Sequence, residues 1–295
     1  MTTEATAARI ETFDADQPIT IDLQVASGDI FVRTHDEASV VVRITSNRPD
    51  AAARIDEIIV NFDDARHTLE VREPKRRSGE DTRESLLDLT RRVLAMNFHG
   101  ASLNYVILVP AASSLDVRTG SSDIVAVGVY SNVSVKGASS DLLIDDVADL
   151  SVHVASGDVL VQSVRERMTV RSASGDLQVN SLSGSAVANT VSGDVSIGVT
   201  SPSDLKVRAV SGDITMYVTP GLRVDIDAKA TSGDVRSDIA LDDSGAATSD
   251  DHGQVVLNAS SISGDITLKR LSEKRERKNA VLADLLRDRW EQAGR

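Results

Sequence analysis

The sequence predicts an all-β protein, a single-chain β-solenoid with about 18 residues per rung. Three observations predict it. The tripeptide Ser-Gly-Asp occurs at Ser27, Ser156, Ser174, Ser192, Ser211, Ser232 and Ser263, with degenerate Ser-Ser-Asp copies ending at Asp123 and Asp141. From Asp123 the Asp positions advance by 18, 17, 18, 18, 19, 21 and 31 residues. Around each copy apolar residues alternate with others, as in Leu150-Ser-Val-His-Val154 and Val159-Leu-Val161. Alternation is the signature of a half-buried strand, and a fixed period is the signature of stacked units.

Each period reads as two short strands joined by a tight turn. Gly28, Gly157, Gly175, Gly193, Gly212, Gly233 and Gly264 supply a backbone angle that other residues avoid. The flanking Ser and Asp side chains are expected to accept N–H bonds within their own turn. One such unit cannot bury its apolar side alone, so units stack. At ~4.8 Å per rung, eight turns give a rod of about 38 Å. Right-handed winding is expected by analogy with parallel crossovers. A left-handed hexapeptide coil needs an apolar residue at every sixth position, which Val152, Val154, Val159, Val161 and Val164 do not provide. A sandwich of hairpins would keep the turns but not the period. The long last step accommodates the polar stretch Asp242–Gly253.

Residues 1–118 read as a β-rich start to the coil. Ile19–Leu23 and Val40–Ile44 are strands around the first Ser-Gly-Asp, Pro49–Ile55 a short helix, and Ile58–Phe62 with Thr68–Val71 a hairpin. A polar loop, 73–81, leads to a helical insertion at 82–98, where Asp81 and Glu84 have capping-box spacing. Leu86, Leu89, Val93 and Met96 share one face of that helix, which is expected to pack on the coil or on its open end. Tyr105–Val109 returns to strand and Pro110 closes it. Residues 119–270 form the repeat solenoid, and 271–295 an amphipathic helix capped by Ser272. Leu282, Leu286 and Trp290 recur every fourth residue, with Val281 and Leu285 beside them. This tail has three expected uses. It can cover the last rung around Ile266 and Leu268. It can mediate self-association or hold a protein partner through Leu282, Leu285, Leu286 and Trp290. It can touch a membrane surface peripherally.

Composition narrows the function. Aromatics are 3%, so the core is built from Val, Ile, Leu and Ala. There is no cysteine, which excludes disulfides, thiolate metal sites and cysteine nucleophiles. The net charge is −13, which repels nucleic acid and anionic membrane outside local patches. Only residues 269–295 are basic, with 9 basic and 5 acidic side chains. No secretory signal or membrane span is read, so the expected location is the cytoplasm.

The strand, Ser-Gly-Asp, strand pattern resembles the bacterial "putative adhesin" β-strand-repeat proteins, a domain family of unknown function related to toast-rack domains. The resemblance covers roughly residues 10–270 and is most specific from Leu150 to Val235. It implies a right-handed, pectin-lyase-like coil and no established catalytic residues. It also implies a link to the cell envelope or its stress response, with partners bound at the inner face of the membrane.

Candidate chemistry lies in the Asp column. Asp158, Asp176, Asp194 and Asp213 would stack at ~4.8 Å and repel by about 0.9 kcal/mol per neighbouring pair at the dielectric of water. Bound Ca²⁺ could relieve this. The alternative, expected here, is that each carboxylate bonds its own turn, because the denser glycine and acid pattern of Ca²⁺ coils is absent. His35, His67, His99, His153 and His252 are scattered, and His153 is expected to face solvent. Acids that recur on every turn mark architecture, whereas a catalytic site is a single constellation. The sequence therefore predicts no enzyme and no cofactor, but a structural or interaction scaffold. The alternatives are an adhesin-like or carbohydrate-binding surface protein and a Ca²⁺-binding β-coil.

Overall fold

The computed structural model describes residues 7–46, 52–74, 103–239 and 253–272. The insertion helix at 82–98 and the tail helix, with Leu282, Leu285, Leu286 and Trp290, lie outside these residues.

The described chain is a β-solenoid built from twenty strands and one short helix. In chain order these are β1 (Ala7–Asp14), β2 (Thr20–Ser27), β3 (Asp29–His35), β4 (Ser39–Ser46), α1 (Ala52–Glu57), β5 (Ile59–Asp63), β6 (Thr68–Arg72), β7 (Asn104–Pro110), β8 (Ser114–Ser121), β9 (Ile124–Ser139), β10 (Leu142–Ser156) and β11 (Val159–Ser174). They continue with β12 (Leu177–Leu182), β13 (Ser185–Ser192), β14 (Val195–Val199), β15 (Ser203–Ser211), β16 (Ile214–Val218), β17 (Arg223–Ser232), β18 (Val235–Ser237), β19 (Gln254–Ser263) and β20 (Ile266–Arg270).

Each rung has two limbs. One limb follows the Ser-Gly-Asp turn, and the chain then bends at a second corner into the other limb, which leads to the next turn. In β9, β10 and β11 one continuous strand runs through the second corner, where the pairing register shifts. Successive rungs pair in parallel: Leu142 faces Val159, Val159 faces Leu177, and Leu177 faces Val195. Alternate side chains point inward, so Val152, Val161, Val179, Ile197 and Val207, each 0% exposed, join one continuous core with their counterparts. Each is sandwiched between rungs, which is the burial that a single period lacks.

Rung order is not chain order at either end. β15 pairs with β13 on one side and with β19 on the other, and among the described residues β17 pairs only with β19. The same holds on the other limb, where β16 pairs with β20 and β20 with β18. The last-synthesised rung is therefore inserted before the rung formed by β17 and β18. At the opposite end the rung of β2 and β3 lies between β8–β9 and the outer pair β6 and β7. The long Asp234-to-Asp265 step is thus the return crossing that places β19. A consequence corrects the sequence expectation. Ile266 and Leu268 lie inside the penultimate rung, each 1% exposed, and are not the last rung.

The two ends differ. At the first, antiparallel strands replace the parallel ladder: β1 pairs β4, β4 pairs β7, and β5 pairs β6 as the predicted hairpin. Helix α1 lies over this end, with Ile55 and Ile58 at 2% exposure. The predicted helix at Pro49–Ile55 corresponds to α1. At the other end the inward side chains of β17, Val224, Ile226, Ala228 and Ala230, are only half-buried, and Val235 of β18 is 47% exposed.

Candidate functional site

Three side-chain arrangements stand out, and the first is the Asp column. Gly175 has φ +112°, and a Cβ there would lie 2.2 Å from the Gly157 carbonyl oxygen of the preceding rung. A side chain at this position is excluded both by the backbone angle and by the contact. The other six predicted turn glycines share the positive φ and the close approach to a neighbouring carbonyl. The degenerate copies place Ser122 and Ser140 there instead, without a positive φ.

The turn geometry explains the aspartate. The Gly157 N–H donates to the Ser174 carbonyl, and the Val159 N–H to the Asp176 carbonyl, both on the following rung. The Asp N–H between them points the other way and meets no carbonyl. The Asp176 N–H donates instead to Oδ1 of Asp158 at 2.8 Å. The same bond joins Asp158 to Asp141, Asp194 to Asp176, Asp213 to Asp194, Asp265 to Asp213 and Asp234 to Asp265. Each carboxylate thus substitutes for the main-chain acceptor that the turn removes from the ladder. The sequence expectation was a bond within the same turn. The structure corrects it, because the glycine turns the next N–H toward the preceding rung. The relay also follows the inserted order, passing from Asp213 to Asp265 and only then to Asp234. One oxygen each of Asp158, Asp176, Asp194 and Asp213 is committed in this way, which gives the column a role as backbone acceptors. Among the described residues no group of three His, Asp or Glu side chains is placed to hold a metal ion.

The second arrangement is at the opposite corner. Asp145 is half-buried and accepts from the Gly128 N–H at 3.1 Å. Burial raises its pKa; the Gly128 bond opposes this, and the neighbouring Asp146 adds to it. Asp146 itself pairs with Arg165 at 2.7 Å. Below it the Tyr130 hydroxyl donates to the Val32 carbonyl at 2.9 Å, and burial raises the Tyr130 pKa.

The third arrangement was not read from the sequence. On the outer side of the limb that precedes the Ser-Gly-Asp turn, the register aligns Arg118 with Lys136, Lys136 with His153, and His153 with Arg171. It continues through Asn189, Arg208, Ser260 and Lys229. One line of mainly basic side chains therefore runs along the rod, interrupted at Asn189 and Ser260. His153 stands in it, pointing outward as predicted and half-buried. A groove of about 400 Å³ crosses the row, lined by Arg171, Asn189 and Arg208 together with Val191 and Val210. The signal was present in the sequence, three residues before each Ser of the tripeptide, but it is spread over rungs and appears only once the register is known. On the other limb Val106, Phe31, Val125, Leu143 and Leu160 form an outward apolar row over five rungs.

Parallel rungs, glycine turns and a carboxylate relay define the class, a β-solenoid whose repeated acids serve its backbone. The chain belongs to the Toastrack family, DUF4097, whose sequence profile matches residues 20–269. This is the toast-rack kinship expected from the repeat. Among solved structures it is similar to a protein described as a putative adhesin from Bacteroides fragilis, at 16% identity and a TM-score of 0.47, covering 90% of this chain and 97% of that one. It is also similar to two proteins of Parabacteroides distasonis. One is described as a putative adhesin, at 11% identity and TM-score 0.42, and the other as a putative lipid binding protein, at 11% and 0.41. Both alignments cover 90% of this chain and 97% of the other. No curated protein matches the chain.

Proposed function

We propose that this protein is a non-enzymatic scaffold, a stiff β-solenoid whose assembly is set at one end by its C-terminal tail. The observation that carries this reading is the contrast between the two ends of the rod. One end is closed by α1 and antiparallel strands, whereas the other presents half-buried Val224, Ile226, Ala228 and Ala230. The described chain ends on the penultimate rung, one rung from that open end. The Leu271 N–H donates to the Val218 carbonyl at 2.8 Å, and the Arg270 guanidinium reaches the Thr219 and Leu222 carbonyls. The apolar side chains Leu282, Leu285, Leu286 and Trp290 of the tail sequence suit covering such an end or joining two of them. The acids support a non-catalytic role, since they recur by rung and serve the backbone.

Light scattering tests the reading by comparing the full chain with one ending at Ser272. The expected result is a full-length monomer and a tail-less chain that self-associates, which makes the tail a cap. A full-length oligomer that becomes monomeric without the tail would make it the assembly element and its apolar face the partner surface. Two monomers at every concentration would sink both versions.

A second reading, a carbohydrate-binding surface protein, is favoured by the cation row. The first reading suits the cytoplasm. The second requires display outside the cell, and protease accessibility on intact cells separates them.

A further inference from the structure

We propose that the cation row is a binding site for a linear carboxylated polysaccharide, one carboxylate per sugar, lying along the rod axis. The inference deepens the surface-protein reading and rests on it for access to such a ligand.

Placement comes first. Lys136, Arg171, Arg208 and Lys229 occupy one outward row at every second rung, ~9.6 Å apart, with His153, Asn189 and Ser260 on the rungs between. Successive sugars of an extended 1,4-linked hexuronic acid chain turn their carboxylates to alternate sides, so those on one face recur every second sugar, a step on the order of two rungs. Pairing comes second. In a chain with 45 acidic residues, several cations elsewhere are bridged, such as Arg54 to Glu73, Arg165 to Asp146, and Arg236 to Asp234 and Asp265, and Arg118 at the start of the row is itself held by Asp116 and Asp22. Among the described residues Lys136, Arg171, Arg208 and Lys229 have no such bridge, and all four are exposed. Their charge is available to an anion from outside. The flanks come third. On one side of the row stand the hydroxyls of Ser151 and Thr169, and on the other Val191, Val210 and Ile262, 52%, 43% and 55% exposed. Hydroxyls beside His153 and Arg171 and aliphatic surface beside Asn189, Arg208 and Ser260 give successive sugars both kinds of contact, with a polar rim and with an apolar C–H face.

The same features disfavour other polyanions. Duplex DNA carries one charge per ~1.7 Å, far denser than one fixed cation every second rung. Single-stranded nucleic acid is bound through stacked aromatic rings, and neither this row nor its flanks hold one. An anionic bilayer would meet the Asp column at the adjoining corner as well as the cations.

The test uses the full chain and a labelled linear galacturonan fragment, followed by fluorescence anisotropy at low salt. The expected result is binding that weakens as salt rises and is absent for the methyl-esterified fragment. Arg171→Gln with Arg208→Gln should weaken binding about tenfold or more, since two charge-assisted contacts are lost. Arg236→Gln with Lys269→Gln, the same charge change on the outer side of the other limb, should stay within about twofold. The proposal is overturned by no binding at low salt, by equal losses in both double variants, or by tighter binding of single-stranded DNA of equal charge. Protease accessibility on intact cells tests the surface-protein reading separately. A protein that binds galacturonan in solution but is never displayed outside refutes that reading and leaves the chemistry of the row standing.

Discussion

At the scale of single residues, the Asp column is a backbone device with an electrostatic cost. Asp176 accepts the Asp194 N–H at 2.8 Å and stacks between two other carboxylates. Asp176→Ala removes the acceptor and should destabilise the fold by about 1 kcal/mol. Asp176→Asn keeps an oxygen in place and removes two like-charge contacts of about 0.9 kcal/mol each, so it should be neutral or stabilising in urea titrations at low salt. If Asn proves as harmful as Ala, charge rather than acceptance is what the column needs, and a bound cation returns as the explanation. Asp145 behaves oppositely. Its folded pKa is raised by burial, so the folded state binds its proton more tightly than the unfolded chain does. This favours folding when the group is protonated, and the advantage is lost as pH rises through the folded pKa. Asp145→Asn should therefore stabilise the protein at pH 7, with the gain shrinking as pH falls toward the ordinary carboxylate range. A gain that is constant over pH would exclude the titration.

At the scale of elements, the inserted rung makes a prediction that chain order would reverse. Leu257 of β19 is 1% exposed and lies in register between Leu205 and Ile226, whereas Ile226 belongs to the half-buried end rung. Leu257→Ala should cost about 3 kcal/mol and Ile226→Ala closer to 1 kcal/mol. Equal costs, or the larger one at Ile226, would mean that rungs stack in chain order. This is also where the sequence stops being legible. The period, the turn glycines and the inward Val152 and Val154 follow from local pattern, because a tight turn and an alternating strand are specified by their own residues. Neighbour choice is not local. Ser-Gly-Asp at 211, 232 and 263 is the same motif, and nothing within a copy says which other copy it faces. The cation row was hidden for the same reason, since Lys136, Arg171 and Arg208 are neighbours only after register is set. The Asp relay was half legible: an acceptor was expected, but its donor lies one rung away.

At the scale of the whole molecule, a rod of parallel rungs must end somewhere, and an uncovered end exposes both apolar interior and unpaired backbone. The first end solves this with α1, Ile55, Ile58 and three antiparallel pairings. At the second, β17 and β18 each pair on one side only among the described residues. Val235 stands exposed on the shorter of these edges. If the tail covers this end, a chain ending at Ser272 should associate through it, and a charge placed on the edge should stop that association, as lysines do on natural edge strands. Val235→Lys in the tail-less chain is the direct case. It is an exposed position, so the fold should persist, and circular dichroism and melting should match the tail-less parent. Light scattering should then report a monomer where the parent polymerises. A polymer that survives Val235→Lys would move the contact elsewhere, and the outward row of Phe31, Leu143 and Leu160 would be the next face to charge.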